Sequence, residues 1–152
     1  MKENKSMSIV ITLLVILFVG YFVLRGSISG QNTVVSQGPF SISVKNADGY
    51  YDINSATLIQ MFKNKDFALV NVHIPYAGEL ANTDAFIPYD TIGQNLWKLP
   101  SDKNAKIVLY CRSGSMSTKA AQELASRGYT NVYNLTGGMN DWEQEGGMVI
   151  KK

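Results

Sequence analysis

The stretch KIVLYCRSGSMSTKAAQEL, residues 106–124, decides the architecture. Residues 107–110 are apolar and include two β-branched side chains, so they read as a strand buried on both faces. Cys111 ends the run and a loop rich in Ser and Gly follows. Ser117 or Thr118 can then cap a helix running to about residue 127. Backbone N–H groups at a helix start point at whatever lies there, and the helix dipole favours negative charge. The chain's one cysteine therefore stands where a thiolate is stabilised, which predicts a nucleophile rather than an inert core thiol.

Strand-like and helix-like stretches alternate on either side of this unit. Residues 42–44 and 50–53 are short strand candidates around an Asn46-Ala47-Asp48-Gly49 turn. Asn54 or Ser55 caps a helix whose apolar side carries Ala56, Leu58, Ile59 and Phe62. Residues 67–72 read as a buried strand, 73–84 as an irregular crossing, 85–87 as a short strand and 91–97 as a short helix. After the cysteine unit come a strand at 131–135, a Gly137-Gly138 turn and a last helix at 139–145. The alternation predicts an α/β fold, a central parallel sheet of about five strands between two helical layers. Open sheets of this kind take ligands beyond the carboxyl ends of their strands, and Cys111 stands at such an end.

The 152 residues leave room for one domain and an appendage. Residues 7–24 (MSIVITLLVILFVGYFVL) carry no charge, and as a helix they would extend about 27 Å, enough for a bilayer core. The expected organisation is a membrane anchor at 1–25 with its transmembrane helix over 7–24, a Gly- and Ser-rich linker at 26–39 and a globular domain at 40–152. Lys2 and Lys5 precede the span and Arg25 follows it, which places the globular part outside the cytoplasm of a single-pass cell-membrane protein. The alternative is a cleaved signal segment and a secreted domain. The net charge is +2, and Lys2, Lys5, Arg25 and Glu3 supply all of it, so residues 39–152 are balanced. No nucleic-acid surface is expected. One cysteine excludes an internal disulfide, a CxxC pair and a cysteine-rich zinc site, and no metal or cofactor is implied.

Taken in order, several pieces resemble one family. Tyr51-Asp52-Ile53-Asn54 leads into the first helix, and Leu69-Val70-Asn71-Val72-His73 stands where an Asp-Val-Arg strand end is usual. Phe86-Ile87-Pro88 loosely matches a His-Ile-Pro element. Cys111-Arg112-Ser113-Gly114-Ser115-Met116-Ser117 and Gly137-Gly138-Met139-Asn140-Asp141-Trp142 are the strongest matches. Residues 50–147 thus resemble a rhodanese-like (sulfurtransferase) domain. The resemblance implies that Cys111 is the catalytic residue, taking a sulfane sulfur as a persulfide and passing it to a thiol acceptor. It implies a small donor such as thiosulfate or a persulfide, with a protein sulfur acceptor as a further partner. Substrate binding falls to Arg112, Ser113, Gly114, Ser115, Met116 and Ser117, whose amides would cradle the sulfur while Arg112 holds the donor's charge. Met116 stands where active members commonly carry Thr, Ser or Arg, and it brings no strong donor.

Other chemistries fit less well. A Cys–His dyad with His73, the only histidine, would need an orienting group and another fold. Cysteine phosphatases need Arg six residues after the cysteine, where this chain has Ser117. The alternative kept is a membrane-tethered binding module on the same fold with weak or no turnover.

Overall fold

The computed structural model describes residues 44–151. The expected anchor at 7–24 and the linker at 26–39 lie outside the described residues. Among the described residues, no helix is long and apolar enough to cross a membrane.

Among the described residues, seven strands and three α-helices follow one another: β1 (Tyr51–Ile53), α1 (Ser55–Phe62), β2 (Ala68–Asn71), β3 (Glu79–Leu80), β4 (Ala85–Phe86), β5 (Ile107–Tyr110), α2 (Ser115–Ser126), β6 (Val132–Leu135), α3 (Gly138–Gln144) and β7 (Val149–Ile150). Five of the strands form one parallel sheet in the order β1-β6-β5-β2-β4. The other two, β3 and β7, make a small antiparallel pair, Glu79 opposite Ile150 and Leu80 opposite Val149. The central parallel sheet of five strands agrees with the expectation; the small second sheet was not anticipated.

Burial follows the period of two along the central strand. Ile107, Leu109 and Cys111 face one core with Val70, Val72 and the α2 residues Ala120, Ala121 and Leu124. Val108 and Tyr110 face the opposite core with Leu69, Leu58 of α1 and Met139 of α3. The parity of one strand therefore points the cysteine toward α2. Tyr110 is wholly buried; its hydroxyl accepts from Leu80 N–H at 3.0 Å and pairs with Thr83 Oγ1 at 2.6 Å, which ties β3 to the main sheet. Burial pushes its phenol up to about 12.

Local signals are used largely as read. Asn54 caps α1 by accepting from Thr57 N–H at 2.8 Å. Two expectations are corrected. The helix expected at 91–97 is two 3-10 turns, Ile92–Gln94 and Leu96–Lys98, neither with a side-chain cap. Of the strand expected at 42–44, residues 42 and 43 lie outside the described residues; next to it, Lys45 makes an isolated bridge to Tyr51. The helix after Cys111 starts at Ser115, ahead of the expected Ser117 or Thr118 cap, because Gly114 caps it in the left-handed region at φ +92° without a side chain.

Candidate active site

Strand β5 ends at Tyr110, so Cys111 is the first residue past the carboxyl edge of the sheet and 1% exposed. The chain turns at once into α2, and the sulfur lies inside that turn. Gly114 N–H donates to Cys111 Sγ at 3.1 Å. The Ser117 hydroxyl lies 3.6 Å from the same sulfur and 3.0 Å from Gly114 O, and its single proton serves one of them at a time. The first intrahelical bond of α2 runs from Thr118 N–H to Gly114 O at 2.9 Å, so the amides of Ser115, Met116 and Ser117 precede it and lack helical partners.

The predicted site residues divide three ways. Cys111, Gly114 and Ser117 are joined by the contacts just given. Ser113 and Ser115 are exposed, and Arg112 is an exposed cation beside a polar cavity of about 240 Å³. Met116 packs its side chain against the Val72–Ile107–Ala120 core, leaving only its backbone to the loop.

Two contributors went unrecognised in the sequence. Gly137-Gly138 does more than turn the chain: Met139 N–H donates to Cys111 O at 2.9 Å and Asn140 N–H to Arg112 O at 3.0 Å. A Cβ on Gly138 would collide with the Cys111 carbonyl oxygen, so the start of α3 can clasp the sulfur loop only with glycine there. The motif itself was the available signal, although its partner 26 residues away was not. Asn71 is the second. Fully buried at the end of β2, it accepts from His73 N–H at 3.0 Å and donates through Nδ2 to Gly78 O at 2.9 Å. It thereby pins the 73–78 crossing beside the site.

His73 follows on that crossing, and its Nδ1 is buried without a hydrogen-bond partner. Burial, and secondarily the Arg112 guanidinium, hold the imidazole below its ordinary value, so it stays neutral near pH 7. Its distance from Cys111 is bridged by no hydrogen bond, and the dyad reading gains no support. Among the described residues no cluster of His, Cys, Asp or Glu could hold a metal.

This geometry, a buried cysteine in a tight loop between a central parallel strand and a helix start, defines a class, and comparison with known proteins agrees. The profile of the rhodanese-like domain family matches residues 53–145, and the chain belongs to that family. A protein of Allochromatium vinosum named a sulfurtransferase is 34% identical over 104 residues, which cover 65% of this chain and 94% of that protein. A tRNA uridine(34) hydroxylase of Erwinia tasmaniensis is 28% identical over 128 residues, 80% of this chain but only 36% of that enzyme. A rhodanese-like domain protein of Staphylococcus aureus superposes with a TM-score of 0.55 at 28% identity, over 66% of this chain and 98% of its own.

Proposed function

We propose that the chain is a sulfurtransferase that carries a sulfane sulfur as a persulfide on Cys111. The observation that carries this reading is the Gly114 N–H donated to Cys111 Sγ at 3.1 Å, inside a loop whose next three amides have no helical partners. These donors favour negative charge on Sγ, and on a second sulfur attached to it. With thiosulfate as donor, the Cys111 thiolate attacks the outer sulfur. A new S–S bond forms, the old S–S bond breaks, and sulfite leaves with the electron pair. An acceptor thiolate then attacks the outer sulfur of the persulfide and Cys111 departs as thiolate. Arg112 neutralises the donor's charge, and residues 112–117 form the cradle. No metal or organic cofactor enters this scheme.

The test is intact-mass detection of a persulfide on the full chain after incubation with thiosulfate, mercaptopyruvate or a small-molecule persulfide. Wild-type protein should gain one sulfur and transfer it to a thiol, and Cys111→Ser should do neither. Transfer that survives in Cys111→Ser would refute the assignment. A second reading, a binding module with weak or no turnover, draws on the near-complete burial of Cys111, which narrows a donor's approach. It predicts no persulfide from any of the three donors.

The uncharged run at 7–24 supports a further part of the proposal: a single-pass membrane tether with the domain on the extracytoplasmic side. The full chain should stay with membranes after an alkaline carbonate wash. Release would indicate a cleaved, secreted form.

A further inference from the structure

A second cavity, of about 300 Å³, opens between α2 and residues 89–94, and none of residues 111–117 lines it. Its volume is that of about ten waters, room for a free amino acid with part of its hydration. The wall on the α2 side is a stripe of alternating charge, Lys119, Glu123 and Arg127, each one helical turn from the next. Glu123 and Arg127 satisfy each other, Arg127 Nε donating to Glu123 Oε1 at 2.6 Å. They lie against Gly93 of the facing wall, where a Cβ would collide with both side chains. With Gln94 next in the chain, that end of the cavity is polar and neutral.

The other end is charged and unsatisfied. Lys119 Nζ stands 5.6 Å from the centre of the Tyr89 ring, and Asp90 follows Tyr89 in the chain. A cation on one wall and an anion on the other thus face the same end of the cavity. Among the described residues, no ion pair joins them to each other or to any other group. Both walls are fixed without a ligand. Tyr89 N–H donates to Val72 O at 3.1 Å, and Tyr89 packs against the core that holds Val72 and the α2 residue Ala120.

We propose that this cavity binds a free α-amino acid with a neutral polar side chain, its carboxylate on Lys119 and its ammonium on Asp90. Two opposite charges held apart across a gap are complementary to a ligand that carries both charges on one carbon. A ligand with a single charge leaves one wall without a partner and gains less. The neutral far end fits a carboxamide or hydroxyl, groups that both donate and accept. The inference goes beyond sulfur transfer and does not depend on it, because no residue of the sulfur loop takes part.

The experiment is a calorimetric titration of the full chain in mild detergent with L-glutamine. Three comparison ligands are γ-aminobutyramide, which lacks the carboxylate, glutaramate, which lacks the ammonium, and L-leucine. L-glutamine should bind with a Kd of about 1 mM or tighter. Each comparison ligand should bind about three- to tenfold more weakly, the size expected for one charge-assisted contact or one misplaced apolar side chain. Lys119→Gln should weaken glutamine by a similar factor and leave γ-aminobutyramide unchanged, since that ligand has no carboxylate to lose. Asp90→Asn should weaken glutamine and leave glutaramate unchanged. Both side chains are exposed, so neither variant disturbs the core. Cys111→Ser should bind glutamine as the wild type does, whatever becomes of sulfur transfer. The inference is overturned if glutamine does not bind in the millimolar range or binds no better than its comparison ligands. It is overturned equally if either charge variant weakens glutamine and its analogue alike, or if binding is lost in Cys111→Ser.

Discussion

Ser117 shows how much one buried side chain can carry. Its hydroxyl proton has two acceptors, Gly114 O at 3.0 Å and Cys111 Sγ at 3.6 Å. A neutral thiol leaves the proton on the nearer carbonyl, whereas a charged sulfur competes for it because charge-assisted bonds are stronger. Ser117→Ala should therefore reduce sulfur transfer about three- to tenfold, equivalent to roughly 0.5–1.5 kcal/mol. Iodoacetamide alkylation of Cys111 should slow in parallel; an unchanged alkylation rate would dismiss the hydroxyl. Stability should change little, because Gly114 O keeps its bond from Thr118 N–H. Asn71 behaves differently, since both its bonds go to backbone and it is fully buried. Asn71→Asp could still accept from His73 N–H but would face Gly78 O with no donor. A loss of about 1–3 kcal/mol in urea unfolding is expected. These side chains were visible in the sequence as motif members or departures from a motif. Their partners were not, because Gly78 and Gly114 take part through backbone atoms that carry no residue-type signal.

Among the elements, α3 has the largest hidden task. Read locally, Gly137-Gly138 is a turn before a helix, and the helix follows at Gly138–Gln144 as expected to within a residue. Its first amides, however, are spent on the carbonyls of Cys111 and Arg112. Gly138→Ala should push α3 off the sulfur loop, since the obstructing atoms are backbone and cannot rotate away. At φ +60° the substitution also strains the backbone, so a stability loss of more than about 1 kcal/mol is expected. Sulfur transfer should fall more than Ser117→Ala causes, and a fully active Gly138→Ala protein would refute the clasp. Helix α2 teaches a related lesson. Capping rules look for a side-chain oxygen, so they placed its start at Ser117 or Thr118. The actual cap is Gly114, chosen by a left-handed backbone that lets its N–H meet the sulfur.

For the molecule as a whole, pH offers a clean probe because the chain has one histidine. The folded His73 binds its proton less readily than the unfolded chain does, owing to burial and then to Arg112. Its contribution to stability is therefore complete above the unfolded value of about 6.5 and is lost as pH falls from there through the lower folded value. The urea midpoint should drop between about pH 7.5 and pH 5, and His73→Gln should flatten that drop. A wild-type curve level across this window would contradict the sign.

The alternation of apolar runs with helical patterns was enough to specify a parallel α/β sheet and the cysteine at its edge, because strands buried on both faces and helices buried on one leave periodic imprints in residue type. Strand order, the β3–β7 pair and the clasp of α3 on the sulfur loop came only with the closed chain. Each joins groups far apart in sequence, several through peptide atoms common to every residue, and such contacts leave no periodic trace until the sheet brings them together.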